Sequence, residues 1–372
     1  MTSTSSVHLT CLCGAISEPG TLLSDPGIPV TIEICYCNPC RYATGSLGVA
    51  FPQLGASPSQ DTLGKITPYY SSQKNIRYFC STCGSHCFVA NQKNKKWFCL
   101  SGIIEPNPAS KAKNTQWPKD TIKVLRHDYV LDTVDGGLVP IMLNLNGRSI
   151  PTWSAAGREI DSFDLPHTDV LSLASKAMSA LPPPKEDSHL LAKCHCGGVS
   201  LFIKRANYSS IPRTSAHHNS SDPAKYRASP CACRSCRLST GVSMLHWTTI
   251  PTANVFNANA SNISEDEFKP ITVGHSASSP NANPGLALKH YWSSPERCWS
   301  FCGKCGATIF YWSPDHLDVA VGILRAEEGS MARRWLDWEW GQCGFEEESI
   351  DREICEAWKG GAEVVKKLGI ES

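Results

Sequence analysis

Three closely spaced cysteines occur twice in this chain of 372 residues, as CYCNPCRYATGS at 35–46 and as CACRSCRLSTGV at 231–242. Thiolates are strong zinc ligands, and a structural zinc site closes with four protein ligands. Three protein ligands with one open position are instead typical of catalytic zinc, where water or substrate completes the tetrahedron. The ligands of these two triples are Cys35, Cys37, Cys40, Cys231, Cys233 and Cys236.

A C-x-C-G pair precedes each triple, and a C-x-x-C-G pair follows it. One pair of each kind supplies four thiolates, which is enough for a closed tetrahedral zinc site. The glycine after each pair permits a positive φ, so nearby amides can point at the sulfurs. We therefore predict two closed sites, with the ligands Cys11, Cys13, Cys80 and Cys83, and Cys194, Cys196, Cys302 and Cys305.

The same order of motifs, with seven cysteines, occurs in both halves of the chain and indicates an internal duplication. We predict a first zinc domain at 7–147, a linker at 148–188 and a second zinc domain with long loop insertions at 189–350. A C-terminal helix or tail follows at 351–372. Residues 7–147 are called the first copy below, and residues 189–350 the second copy.

Other ligand arrangements are compatible with the sequence. A distant residue could close each triple, or seven thiolates could share two zinc ions through a bridging sulfur. Redox-active C-x-x-C pairs and structural disulfides are further alternatives. The candidates for a distant fourth ligand do not match in position between the copies, and they are Cys87, Cys99, His86, Cys298, Cys343 and His246.

An arginine follows each triple directly, Arg41 in the first copy and Arg237 in the second. A guanidinium there could bind the carboxylate of a thiol ligand or offset the negative charge of the thiolates. The sequence does not identify a general base. Histidines near the motifs are candidates for that role, namely His86, His195 and His246.

The composition excludes several classes of function. The net charge is +1 and there is no run of Lys or Arg, which argues against nucleic-acid binding. No stretch reaches the eighteen or so apolar residues of a membrane span, and MTSTSSVHLT does not begin a secretory signal. We therefore expect a cytoplasmic or nuclear protein, in which 19 reduced cysteines favour metal binding. The oligomeric state is left open.

Many glycines, prolines and serines predict short strands and turns. Strands are predicted at 86–90 (HCFVA) and 307–312 (ATIFYW), and polar loops at 257–267 and 274–285. Helices are predicted at 170–182, at 331–340 (MARRWLDWEW) and at 347–368, the last of them closing near Gly360 and Gly361.

The motifs resemble those of the zinc-domain family that contains glutathione-dependent formaldehyde-activating enzymes and centromere protein V. The strings CYCNPCRYATGS and RYFCSTCGSHCF carry the resemblance in the first copy, and CACRSCRLSTG and FCGKCGATIF carry a diverged form of it in the second. It covers about 7–145 and 190–345, as in a tandem two-copy member.

The resemblance implies a mainly β fold of two tandem zinc-binding β-tent modules, built from small antiparallel sheets, and we expect short C-terminal helices beside them. It also implies about two Zn²⁺ per domain, with the triples holding the zinc that takes part in catalysis and thiol binding. The implied activity is that of a carbon–sulfur lyase, acting on a small-molecule thiol (glutathione) and an aldehyde (formaldehyde) to give S-hydroxymethylglutathione. The alternative is a non-catalytic, zinc-stabilised protein-binding module, with WLDWEW at 335–340 as a candidate contact.

Overall fold

The computed structural model describes residues 3–24, 30–105, 122–156, 161–179, 182, 184–185, 188–209, 220–259, 269–279 and 282–369. Up to residue 149 the strands are β1 Ser3–Thr10, β2 Ser17–Ser24, β3 Val30–Cys35, β4 Val49–Ala50, β5 Ile66–Tyr70, β6 Asn75–Cys80, β7 His86–Asn91, β8 Trp97–Cys99, β9 Ile104–Glu105, β10 Ile122–Asp128, β11 Asn144–Leu145 and β12 Arg148–Ser149. After residue 188 they are β13 His189–Lys193, β14 Ser200–Lys204, β15 Tyr226–Cys231, β16 Leu245–Thr249, β17 Val255–Asn257, β18 Leu288–Ser294, β19 Arg297–Cys302, β20 Thr308–Ser313, β21 His316–Ala320 and β22 Leu336–Trp338. The helices are α1 Asn38–Thr44, α2 Gln60–Leu63, α3 His167–Ser179, α4 Arg234–Thr240 and α5 Arg352–Lys367.

The predicted mainly β fold with few helices is confirmed. Strands β18-β19-β20-β21-β16-β15-β22 form one seven-stranded sheet in the second copy. Their counterparts in the first copy form two sheets in the same order, β5-β6-β7-β8 and β4-β3-β10. The pairs β3–β10 and β15–β22 are parallel, an exception to the antiparallel pairing that the resemblance implies.

Side-chain alternation explains why the strands that precede the triples lie in these sheets. In β3 (VTIEIC) and in β15 (YRASPC), every second residue is buried. Successive side chains of a strand point to opposite faces, so one face of each strand packs into the core. This packing fixes the position at which the first cysteine of each triple leaves its sheet.

Two of the three predicted helices form, and one prediction is wrong. Helix α3 confirms the prediction at 170–182, although it begins at His167. The segment 331–340 is not a helix, because Leu336–Trp338 pairs in parallel with β15 as β22. Trp335 and Trp338 of this segment are buried, and the Trp338 indole donates to the Met331 carbonyl at 2.8 Å.

Helix α5 runs to Lys367 and does not end near its two glycines. The Asp351 side chain caps its first turn by accepting from the Ile354 amide. Gly361 is buried, and a Cβ there would lie 3.0 Å from the Trp340 ring. Close packing against that ring is therefore the reason for glycine inside the helix.

The two copies pack against each other through matched contacts. The Gly322 amide donates to the Gly45 carbonyl, and the Gly102 amide donates to the Gly241 carbonyl, both at 2.9 Å. Buried residues of both copies belong to one contiguous apolar core. The predicted loops at 257–267 and 274–285 lie partly outside the described residues. No helix in the described ranges is long and apolar enough to span a membrane.

Candidate metal centres

The four predicted ligands of the first closed site lie together at one end of the first copy. Their sulfurs lie within 4.8 Å of one another. The Cys13 Sγ is 3.5 Å from the Cys11 Sγ and 3.6 Å from the Cys80 Sγ. Four sulfurs around a zinc ion at 2.3 Å would be about 3.8 Å apart, so the spacing fits a tetrahedral site.

The second closed site repeats this arrangement in the second copy. Cys194, Cys196, Cys302 and Cys305 have their sulfurs within 4.8 Å of one another. The Cys196 Sγ is 3.7 Å from the Cys194 Sγ and 3.5 Å from the Cys302 Sγ. The Gly198 amide donates to the Cys196 Sγ at 3.3 Å, and such an N–H group stabilises a thiolate.

Each triple is built at the start of a short helix. Cys37 caps α1 and accepts from the Cys40 amide at 3.4 Å, and Cys233 caps α4 in the same way at 3.3 Å. The C-x-x-C spacing therefore places the second and third cysteines on one helical turn. Each helix ends at the glycine of the Thr-Gly sequence, where Gly45 has φ 87° and Gly241 has φ 79°.

Both triples are groups of three in the structure. The sulfurs of Cys35, Cys37 and Cys40 lie within 4.8 Å of one another, as do those of 231, 233 and 236. Among the described residues, no fourth His, Cys, Asp or Glu atom joins either triple at that spacing. No cysteine of the described ranges belongs to two groups, so the arrangement does not show a bridging sulfur.

The donor sets fit zinc by their chemistry. All 19 cysteines are free of disulfide bonds, and thiolate sulfur is a soft ligand that zinc prefers. Four clusters of three or four sulfurs could each hold one ion. A group of four leaves no open position on a tetrahedral ion, whereas a group of three leaves one position for a molecule from outside the chain.

Arg77 contacts the first triple, and the sequence analysis did not identify it as a site residue. Its side chain is buried, and its Nη2 donates to the Cys40 Sγ at 3.0 Å. Hydrogen bonds from Cys35 and Cys37, together with this guanidinium, lower the pKa of the Cys40 thiol well below its usual value. The only sequence signal for Arg77 is its place in RYFCSTC, three residues before Cys80.

The second triple has two tryptophans as neighbours, and one of them stands at the position that corresponds to Arg77. The Trp247 indole nitrogen donates to the Cys236 Sγ at 3.4 Å. Trp299 lies three residues before Cys302 and thus takes the place that Arg77 has in the first copy. A cavity of about 640 Å³ opens beside this triple and is lined by both tryptophans.

The arginines that follow the triples lie at the contact between the copies. Arg237 is buried, and its guanidinium donates to the Gly102 carbonyl at 2.5 Å and to the Glu105 carboxylate at 2.7 Å. Arg41 is also buried and donates to the Asn38 side chain at 2.7 Å. Binding of a ligand carboxylate by either arginine stays a prediction.

The candidate histidines lie in different surroundings. His86 and His246 are buried, and burial lowers the pKa of each to about 3. His195 is half-buried, and its ring nitrogen is hydrogen-bonded to the Tyr69 hydroxyl of the first copy. Its amide donates to the Tyr42 carbonyl at 2.9 Å. His195 therefore links the second closed site to the first copy.

Comparison with known proteins supports the family resemblance of the first copy. The family model described as "Glutathione-dependent formaldehyde-activating enzyme" matches residues 6–120, which contain the first triple and the first closed site. No curated protein matches the chain. The predicted family resemblance is therefore confirmed for residues 6–120, and the family model does not show it for the second copy.

Proposed function

We propose that the chain is a zinc-dependent carbon–sulfur lyase that adds a small thiol of the glutathione class to an aldehyde such as formaldehyde, or releases it. One observation carries this proposal. The three cysteines of the first copy form an open group of sulfurs next to a buried guanidinium, 3.0 Å from the Cys40 Sγ. An open metal site beside a fixed cation is suited to an anionic thiol.

Zinc held by Cys35, Cys37 and Cys40 would act as a Lewis acid and would favour the thiolate form of a thiol bound to it. The chain's own contribution is the fixed positive charge of Arg77 beside those sulfurs. Phe51 lies under this guanidinium, and the distance from the Arg77 Cζ to the Phe51 ring centroid is 5.5 Å. The ring keeps water from one side of the cation, so the charge is less screened than at the surface.

The reaction itself forms one bond between sulfur and carbon. The thiol sulfur attacks the aldehyde carbon, the carbonyl π electrons move to the oxygen, and the thiol proton ends on that oxygen as a hydroxyl. The reverse reaction restores the thiol and the aldehyde. Holding the aldehyde beside a thiol in the open position would lower the entropic cost of their encounter. No general base is assigned within the described residues.

The carboxylates of a glutathione-like thiol need cationic partners outside the triple. Arg41 is our candidate in the first copy, since it directly follows Cys40. In the second copy, Arg237 donates to Glu105 and to main-chain oxygens, so we propose that it holds α4 in place. Tandem zinc domains at 7–147 and 189–350 and a cytoplasmic location remain part of the proposal.

The protein-binding alternative lacks a specific observation in its favour. The WLDWEW tryptophans face the interior, with Trp335 6% exposed and Trp338 4% exposed. Trp340 stacks on the buried ring of Trp358, with ring centroids 4.5 Å apart. These side chains therefore build the contact between β22 and α5, and they do not form an open aromatic surface.

The proposal is tested by following the exchange of ¹³C-formaldehyde with its glutathione adduct by NMR on the zinc-loaded full chain. We expect the chain to accelerate exchange above the uncatalysed rate, and Cys37→Ser to remove that acceleration. Cys99→Ser is the matched control, because Cys99 is a buried cysteine outside the four sulfur groups. Equal rates with wild type, Cys37→Ser and buffer alone would refute the lyase function.

A further inference from the structure

The two triples have diverged in the residues that face their sulfurs. Three positions can be matched by counting from a shared motif residue. Arg77 and Trp299 each lie three residues before the first cysteine of C-x-x-C. Phe51 and Trp247 each lie six residues after the glycine of Thr-Gly. Val89 and Tyr311 each lie six residues after the second cysteine of C-x-x-C.

The strand pairing supports these matches. Arg77 is opposite Val89 on β6 and β7, and Trp299 is opposite Tyr311 on β19 and β20. The second copy therefore has three aromatic rings where the first has a cation, a smaller ring and a valine. The ring centroids of Trp299 and Tyr311 are 4.8 Å apart, and Trp247 lies 6.1 and 6.5 Å from them.

These rings form a wall of the cavity beside the second triple. Its volume of about 640 Å³ is within the range of small-molecule sites, roughly 300–1,000 Å³. Phe345 lines the same cavity and is 55% exposed, so it adds a fourth aromatic ring that the packing of the fold leaves uncovered.

Charge separates the two sites further. Three thiolates around a divalent ion carry one net negative charge, and a fourth thiolate adds another. Arg77 offsets that charge in the first copy, whereas an indole N–H is the donor to Cys236 in the second. An anionic thiol is therefore favoured at the first triple. The cavity beside the second triple has lining residues of both charges, two arginines (Arg227 and Arg297) and three acids (Asp315, Asp318 and Glu348), so its lining has no excess of positive charge and is better suited to a neutral ligand.

The contact between the copies repeats this asymmetry. Glu105 lies three residues after Gly102 and pairs with Arg237 at 2.7 Å. The matching residue three after Gly322 is Arg325, whose Cζ lies 3.0 Å from the ring centroid of Tyr42. The first triple thus has additional positive charge nearby, while the arginine beside the second is paired with a carboxylate.

We propose that the second triple-cysteine site binds a neutral ligand with a planar aromatic body, such as an aromatic aldehyde, while the first binds the anionic thiol. This assignment rests on the proposed thiol–aldehyde function, which stays at the first triple, and names a different ligand class for the second triple. The polar end of such a ligand has partners in the same cavity, where Asp318 pairs with His316 at 3.2 Å. The aromatic body stacks on the wall formed by Trp247, Trp299 and Tyr311.

The test is titration of the zinc-loaded full chain with benzaldehyde and, separately, with glutathione, both followed by ligand-observed NMR. The variants exchange residues between the copies, so each new side chain is one that this fold already holds at the matched position. Trp247→Phe with Tyr311→Val should weaken benzaldehyde binding about tenfold, since the Tyr311 ring is lost and one full aromatic contact contributes roughly tenfold at most. The same pair should leave glutathione binding unchanged.

Two controls keep the outcomes separate. Arg77→Gln should weaken glutathione binding and leave benzaldehyde binding unchanged, and Tyr70→Val, at a ring 68% exposed on β5, should change neither. Benzaldehyde binding that ignores the Trp247/Tyr311 exchange, or that disappears with Arg77→Gln, would overturn the inference. If glutathione does not bind at all, the proposed function fails, while the benzaldehyde titration still decides the aromatic site.

Discussion

The Arg77 guanidinium lies 3.0 Å from the Cys40 Sγ, although 37 residues separate them in the chain. Strand β6 places this cation beside α1, and burial shields it from water. The same strand position in the second copy is Trp299. This is one of three matched positions at which the residues beside the two triples differ, and it underlies the first prediction.

Replacing Arg77 by Gln should weaken glutathione binding to the zinc-loaded chain by about tenfold or more, the effect of losing one charge-assisted interaction of about 1.5 kcal/mol. Arg77→Lys should restore part of the affinity, since the positive charge is retained without the planar fork. Isothermal titration calorimetry measures both variants. Unchanged affinity in Arg77→Gln would contradict the role of Arg77.

Cysteines of closed and open groups should respond differently to substitution. Cys80→Ser removes a ligand of a group of four, and it should unfold the first copy because structural zinc contributes folding free energy. Cys37→Ser should keep most of the fold and lose thiol binding. Circular dichroism during urea unfolding, with zinc content measured alongside, compares the two. Equal unfolding by both substitutions would contradict the open-site assignment.

The ion pair between Glu105 and Arg237 should stabilise the packing of the copies. Glu105→Gln leaves a buried guanidinium without its counter-charge, which typically costs about 3–5 kcal/mol. Denaturant unfolding measures the loss. Glu353→Gln is a control ion-pair variant, because its partner Arg148 is 30% exposed and should tolerate the change better. A loss no larger than that of the control would argue against this stabilising role.

The two Thr-Gly glycines should be less tolerant of alanine than other glycines with positive φ. A Cβ on Gly241 would collide with the His86 carbonyl, whereas one on Gly147, at φ 73°, would meet no atom within 4 Å. Gly147→Ala should therefore cost about 1 kcal/mol from φ strain alone. Gly241→Ala should lower the free energy of unfolding several-fold more than Gly147→Ala, as measured by urea unfolding. Equal losses of stability in the two variants would show that the contact of Gly241 with the other copy is unimportant.

Asp351 should make the stability of the fold depend on pH. Burial raises the pKa of this carboxyl from 3.8 to about 7. The folded state therefore holds a proton that the unfolded state releases, so the contribution of Asp351 to stability is greatest below pH 4 and falls as the pH rises towards 7. Asp351→Asn keeps a capping side chain and should remove this loss.

Urea unfolding between pH 5.5 and 7.5, where zinc stays bound, separates this effect from others. Wild type should lose stability relative to Asp351→Asn as the pH rises, and the difference should level off above about 7. A difference that is constant over the whole range would show that the Asp351 carboxyl is ionised throughout.

Cysteine spacing predicts the four sulfur groups well, because C-x-x-C and C-x-C set the local turn that aims both sulfurs. The residues that contact the triples in the folded protein could not be predicted in this way. Nothing in the spacing shows that β6 lies beside α1, so Arg77 and Trp299 could be recognised only once the sheets were arranged. His195 is similar, because its hydrogen bond to Tyr69 depends on how the copies pack.

The errors in secondary structure have physical causes too. Trp335 and Trp338 are three residues apart, which is typical of one helix face, but parallel pairing with β15 makes the segment a strand. Gly360 and Gly361 are weak helix formers, yet packing against Trp340 keeps α5 intact through them. In both places tertiary contacts outweigh local propensity.

The central claim, that each copy has one closed and one open metal site, is tested most directly by ¹¹³Cd NMR of the cadmium-loaded chain. Cadmium replaces zinc in thiolate sites, and its chemical shift reports the number of bound sulfurs. The account predicts four resonances, two from sites with four sulfurs and two from sites with three. Glutathione should shift one three-sulfur resonance in wild type, and the same shift in Arg77→Gln should need a higher glutathione concentration. Two resonances only, or four sulfurs at every site before glutathione is added, would contradict the account.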